Sequence, residues 1–269
     1  MSANQFCSCK GIRTCLICES SVGKPTIYSD RIQSYFYCGQ CGNKAWPSTD
    51  HQQHNSAHFV SIEGVFLATN DVISEEKELE LVHFINECEW KDSQSGRKKQ
   101  DFGPKINFKK KVCKVGSFKG LPKYSCDVFT HLQVKYPEQL GDFVPVEVCN
   151  LEYVPERGSA IDPHLDDIWI WGPRLVTLNL LSGTVLTLSP LSRQSDEQEM
   201  EINIEMPARS LLVLFGEARY KWNHGIKREN ITSRRIAITW REFTPLFMPG
   251  GELFEPTGRQ ILDDAKNNI

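Results

Sequence analysis

This chain of 269 residues lacks several features, and each absence narrows its role. No apolar run approaches the ~20 residues a helix needs to span a bilayer, and the opening "MSANQFCSCKGIR" has no apolar core of the secretory kind. No membrane role is expected, and the expected location is cytoplasmic and nuclear. There is no internal repeat and no low-complexity tract, which sets aside solenoids and compositionally biased segments. Nor does one sign of charge dominate: 31 Lys and Arg stand against 34 Asp and Glu, a net charge of −3. A globally basic surface is excluded, so a nucleic-acid or acidic partner must be met by a local patch.

Cysteine, by contrast, is plentiful and unevenly placed. Of ten cysteines, six fall within the first 41 residues. In a reducing compartment such crowding points to metal binding rather than to disulfides. "CSCKGIRTCLIC" sets Cys7, Cys9, Cys15 and Cys18 as two close pairs, and four thiolates in a segment with almost no core suit a tetrahedral structural zinc. Cys38 and Cys41, in "CGQC", form a further pair that would complete a second site with His51, His54 or His58, or replace one pair of the first. A disordered reduced tail and an iron–sulfur or redox role are the alternatives. Residues 1–45 read as a separate cysteine-rich unit, and 46–58 ("WPSTDHQQHNSAH") as a linker.

Further on, Ser74 followed by two glutamates predicts a helix from about Asp71 to Trp90, with Leu79, Val82 and Ile85 as its apolar stripe. A second helix is expected after Leu121, opened by Pro122 and burying Val128, Phe129 and Leu132. From Phe143 the pattern turns to short β-rich runs such as "LVTLNLL", "TVLTL", "EINIEM" and "RRIAITWR", which argues for a sandwich or barrel. "SPLSRQSDEQEM" reads as a hairpin loop, and residues 248–269 as a weakly ordered tail.

Within the β-rich half, "IDPHLDDIWIW" places charge among bulky apolar residues. If the segment is extended, His164 and Asp166 share one face while Asp167 lies on the other and is structural. An imidazole beside a carboxylate is two thirds of a facial triad for non-haem Fe(II), and "WNHGI" offers His224 as the third ligand. In "RRIAITWR" Ile236, Ile238 and Trp240 make a packing face; Arg235, Ala237, Thr239 and Arg241 make the other, a slot with a guanidinium at each end.

His164, Asp166, His224 and the two arginines six apart resemble the AlkB branch of the Fe(II)- and 2-oxoglutarate-dependent dioxygenases, over residues 59–247. The resemblance implies a mainly β fold, a double-stranded β-helix or jelly roll with flanking helices. It implies Fe(II) on His164, Asp166 and His224, with dioxygen as oxidant. Arg235 would meet the distal carboxylate of 2-oxoglutarate, Arg241 would orient Asp166, and Tyr153 would touch the cosubstrate. Asn150 would join it only through a bulge, because one residue of offset turns a strand's side chains over. Trp169 and Trp171 would help to wall the site from water. The activity implied is oxidative removal of N-methyl groups, releasing formaldehyde and succinate. Actin monomethyl-lysine stands first as substrate and 6-methyladenine in DNA second. "RKKQDFGPKINFKKK" occupies the family's substrate-recognition position, with Arg97, Lys98, Lys99, Phe102, Lys105 and Phe108 as contacts. Hydroxylation without demethylation, and a non-catalytic zinc-dependent scaffold, are the competing expectations. Oligomeric state has no signature in the sequence.

Overall fold

The computed structural model describes residue 9 and residues 15–22, 32–54, 58–191 and 199–269. Cys7 and the tip of the "SPLSRQSDEQEM" connection lie outside the described residues. Leu16–Val22 forms helix α1, followed by strands β1 (Gln33–Tyr37), β2 (Lys44–Trp46), β3 (Val60–Ser61) and β4 (Val65–Ala68). Helix α2 (Glu75–Glu87) precedes β5 (Lys91–Asp92), β6 (Lys98–Phe102), β7 (Lys105–Asn107) and β8 (Val112–Lys114). Helices α3 (Lys123–Lys135) and α4 (Pro137–Leu140) lead into β9 (Glu147–Tyr153), β10 (Ile161–His164) and β11 (Trp171–Leu180). Then come β12 (Thr184–Pro190), β13 (Met200–Met206), β14 (Leu211–Leu214), helix α5 (Gly216–Tyr220), β15 (Trp222–Ile226) and β16 (Arg235–Phe243). Helix α6 (Arg259–Asp264) is the last of these elements.

The strands make two seven-stranded sheets, ordered β4-β14-β11-β16-β9-β6-β5 and β10-β15-β12-β13-β1-β2-β3. Alternation along each strand divides the side chains between two cores. Val148, Val176, Ile236, Ile238 and Trp240 face α2 and α3, where they meet Leu81, Ile85, Val128, Phe129 and Leu132. Leu175, Leu212 and Leu214 point the other way, into the layer shared with Leu186, Leu188, Ile202 and Ile204. This is a jelly-roll sandwich with helices backing one sheet. None of the described helices is long and apolar enough to cross a membrane.

Several local expectations change. Ser74 does cap α2, accepting from the Lys77 amide at 3.1 Å, but Leu79 is 61% exposed and the buried stripe is Glu78, Leu81 and Ile85. Glu78 is held inward by the Leu181 amide at 2.7 Å and Arg209 Nη1 at 2.9 Å, which rotates the inward face by one position. Residues expected as a separate cysteine-rich unit enter the sandwich: β1 pairs in parallel with β13 and antiparallel with β2. The C-terminal segment is ordered rather than loose. Phe247, Ile261, Leu262 and Ala265 join the helix-side core, and Asn268 bridges to Leu121. The supposed substrate loop begins as β6, a full member of the sheet beside β9, and continues as the β7–β8 hairpin.

Candidate active site

His164 ends β10 and His224 lies in β15, directly opposite it across the antiparallel pair, with ring centroids 4.3 Å apart. Asp166 follows two residues later, and the ligand atoms of all three lie within 4.8 Å of one another. His164 Nδ1 sits 2.9 Å from the Asp162 carbonyl oxygen, which only accepts, so Nδ1 carries a proton. In the neutral ring Nε2 is then a bare lone pair, and it points at Asp166 Oδ1 from 3.3 Å. A metal cation placed between Nε2 and Oδ1 would satisfy both atoms, the arrangement that second-layer hydrogen bonds create around metal-binding histidines.

The charges are tuned for the same purpose. Burial, with His164 next in effect, pushes the His224 imidazole down to about 3, so it is neutral and able to coordinate. Burial is the largest single influence on Asp166 and opposes its ionisation, but Arg241, His164 and His224 together outweigh it and hold the carboxyl well below the usual range. Arg241 Nε donates to Asp166 Oδ2 at 2.7 Å, leaving Oδ1 on the histidine side. The other arm of the guanidinium, Nη1, donates to Glu147 Oε2 at 2.6 Å, and the ring of Trp171 lies 5.5 Å from its centre.

At the opposite end of β16, Arg235 is buried to 1% exposure between the sheets, 4.8 Å from the Tyr153 ring. Its Nε donates to Asn179 Oδ1 at 2.5 Å, while Nη1 is buried with no partner among the described residues. A buried guanidinium nitrogen without an acceptor is costly unless a ligand supplies one, and a carboxylate fits that geometry. The donor set therefore fits both groups the resemblance implied: a divalent metal at the His–Asp–His cluster and a dicarboxylate reaching Arg235.

The remaining predicted positions fall differently. Asn150 does not reach the site. β9 pairs with β16 in unbroken register from Glu147 to Tyr153, without the bulge that Asn150 would need, so Asn150 shares the helix-facing side with Ile238. Its amide donates to Gln100 at 2.8 Å and Tyr124 at 2.6 Å instead. Trp169 packs on Phe247, at 5.9 Å between centroids, and so belongs to the helix-side core rather than to a wall of the site. Asp167 supplies its carbonyl to the turn, accepting from Trp171 N at 3.0 Å. In the basic segment, Lys98 is paired across the sheet with Glu152, while Lys99 and Asp101 lie on the site face opposite Leu151 and Cys149 and form an ion pair at 2.5 Å. Arg97 approaches the Tyr153 ring at 6.0 Å, Phe102 packs against the core, and Lys105 and Phe108 are exposed on the hairpin.

Three site residues were not foreseen. Asn179 is fixed by donating to the carbonyls of Ser182, Met206 and Pro207, which aims its oxygen at Arg235. Its signal was a lone amide in the apolar run "LVTLNLL". Glu147 is the second acid for Arg241. Arg219, 1% exposed, donates to the carbonyls of Asp166 and Trp171 at 3.1 and 3.2 Å and so fixes the turn that carries the aspartate.

Near the amino terminus the Sγ atoms of Cys9, Cys15 and Cys18 lie together, within 4.8 Å of one another. They dock on the sandwich: Cys9 Sγ accepts from the Ser95 amide at 3.1 Å, and Arg228 holds Glu19 through two bonds of 2.8 and 2.6 Å. A separate group brings Cys38 and Cys41 to His51 and His54, and leaves out His58.

A jelly roll with this His–Asp–His centre and an inward arginine defines the class, the 2-oxoglutarate-dependent dioxygenases. Comparison with known proteins places the chain more closely. No family model matches it. The mouse protein named alpha-ketoglutarate-dependent dioxygenase alkB homolog 4 is 43% identical, over 98% of this chain and 95% of its own. Its human namesake is also 43% identical, over 95% and 92%. A Caenorhabditis elegans protein named DNA N6-methyl adenine demethylase is 38% identical, over 97% and 94%. The chain belongs to the AlkB family of alpha-ketoglutarate-dependent dioxygenases, whose chemistry requires Fe(II), 2-oxoglutarate and dioxygen.

Proposed function

We propose that this enzyme removes N-methyl groups oxidatively, with Fe(II) on His164, Asp166 and His224, and 2-oxoglutarate anchored by Arg235. The observation that carries the reading is the orphaned Nη1 of Arg235, a buried guanidinium nitrogen for which the described residues provide no acceptor. Bound together, iron and 2-oxoglutarate supply the oxidation: dioxygen is consumed, succinate and carbon dioxide leave, and the hydroxylated methyl group departs as formaldehyde.

The chain's own residues prepare that step. His224 stays neutral through burial and keeps its lone pair available. Arg241 keeps Asp166 ionised and occupies one of its oxygens, so the carboxylate presents the other. Tyr153 and Asn179 flank the Arg235 guanidinium and fix the direction of its free nitrogen. Sandwich side chains close the space around Arg235 from water, which strengthens a carboxylate–guanidinium contact made there.

For substrate, we propose 6-methyladenine in DNA. The name of the worm relative supports it, as does the hairpin bearing Lys105, Lys109, Lys110 and Lys111 around exposed Phe108, a combination suited to phosphates and a stacked base. Monomethyl-lysine on an actin-type protein is the second reading. It is favoured by Asp101, an exposed acid on the site face beside Lys99, since a carboxylate suits an ammonium group better than a base. Protein loaded anaerobically with Fe(II) and 2-oxoglutarate should release formaldehyde and succinate from 6-methyladenine DNA, and His164→Ala should not. Formaldehyde from a monomethyl-lysine actin peptide alone would move the assignment to the second substrate. Succinate without formaldehyde from either would point to hydroxylation. No iron binding and no succinate would sink the enzymatic reading and favour a scaffold.

A further inference from the structure

Cys38 and Cys41 flank the turn between β1 and β2, where Gly42 and Asn43 take positive φ values of 56° and 45° and reverse the chain. The Cys38 amide donates to Lys44 O and the Cys41 amide to Cys38 O, both at 3.1 Å, which holds both thiols on one side. Opposite them lies a short 3-10 turn, His51–Gln53, capped by Asp50, whose Oδ1 accepts from Gln52 N at 3.0 Å. Three residues make one turn of such a helix, so His51 and His54 project in the same direction.

The four side chains converge. His51 Nδ1 is 3.4 Å from Cys38 Sγ and 3.5 Å from Cys41 Sγ, and His54 Nδ1 is 3.4 Å from Cys41 Sγ. A tetrahedral zinc with ordinary Zn–S and Zn–N bonds would put sulfur and nitrogen about 3.6 Å apart. Thiol–imidazole hydrogen bonding does not account for the group, because the His51 nitrogen has one in-plane lone pair and two sulfurs at equal range. The outer contacts also fit. His54 Nε2 lies 2.8 Å from Ser48 O, which must accept, so the proton is on Nε2 and Nδ1 is bare. Trp46 stacks on that ring at 4.9 Å and 5°, fixing its plane.

We propose that Cys38, Cys41, His51 and His54 form a structural zinc site. Two thiolates and two imidazoles select zinc over harder cations, and four protein ligands leave no open position for catalysis. The site fastens residues 38–54 to the β1–β2–β3 edge of the sheet whose other edge carries His164 and His224. It is independent of the iron centre and of the Cys9, Cys15 and Cys18 cluster.

The test measures zinc per chain by mass spectrometry on the full-length protein beside Cys38→Ser/Cys41→Ser and His51→Ala/His54→Ala. Each double variant should lose one equivalent of zinc; retention in either one overturns the four-ligand assignment. If those variants fail to fold, a second chain keeps the question open to measurement: Cys7, Cys9, Cys15 and Cys18 all changed to Ser, which leaves this cluster intact. Its zinc absorption edge should report two sulfurs at about 2.3 Å and two nitrogens at about 2.0 Å. Absence of sulfur-bound zinc there overturns the proposal.

Discussion

Arg241 and Asp166 form the contact that would orient the proposed iron ligand: Nε donates to Oδ2 at 2.7 Å, so the carboxylate is ionised, oriented, and left with one oxygen to offer. Lysine at 241 provides a point charge without the fork that also reaches Glu147. Arg241→Lys should weaken Fe(II) binding by about 10–100-fold, the usual cost of losing an outer partner of a metal ligand. An anaerobic Fe(II) titration giving the parent affinity would contradict this.

Asn179 has a different task. Its oxygen is the one acceptor for Arg235 Nε, and Asn179→Ala leaves a buried guanidinium without it. The expected result is an increase in KM for 2-oxoglutarate of about tenfold, together with about 1–3 kcal/mol of lost stability. Fe(II) affinity should be unchanged, because Arg235 lies at the far end of β16. A parallel loss of iron binding would show that the two ends of the site are not separable.

Acid should destabilise the metal-free protein in a defined window. His224 takes a proton near 6.5 in the unfolded chain but near 3 in the folded one, where burial and then His164 disfavour the cation. Between those values the unfolded state binds the extra proton, so stability present above 6.5 declines as pH falls toward 3. His224 is only part-buried, so solvent reduces the size of the effect. The melting temperature of the metal-free chain should fall across this window, and His224→Gln should flatten the decline. Equal slopes in the two proteins would assign the acid sensitivity to other groups.

The amino-terminal cysteine segment should detach when Gly158 acquires a side chain. Gly158 has φ of +59°, and a Cβ there would lie 2.6 Å from Leu16 Cγ and 3.1 Å from Arg228 Nε. Gly158→Val should strain the backbone and push α1 off the sandwich. Hydrogen exchange within Leu16–Val22 should then rise while the amides of β11 and β16 remain protected. Unchanged exchange in α1 would mean that Leu16 finds another seat.

Much of the fold was legible because it rests on short-range pattern. Val128, Phe129 and Leu132 recur at helical spacing and are buried on α3, and the alternation in "RRIAITWR" divides a packing face from a site face. The C-terminal segment was not legible, since Ile261 and Leu262 become a core stripe only once Phe247 and Leu121 are beside them. Leu79 failed for a related reason: the inward face of α2 is fixed by a part-buried ion pair between Glu78 and Arg209, 131 residues apart. Parallel pairing of β1 with β13 has no local signature at all.

By itself the sequence determined which chemical groups exist and, through strand alternation, which of them share a face: His164 with Asp166, Arg235 with Arg241. These are local properties, fixed within a few residues by backbone geometry. Only the tertiary structure decided what each face meets. It turned Asn150 toward the helices and brought Asn179 to Arg235. It also chose His51 and His54 over His58 for the two cysteines at the β1–β2 turn. Such choices depend on which distant segments pack together, because a side chain's partner is set by the summed burial and hydrogen bonding of the whole sandwich and not by its neighbours in the chain.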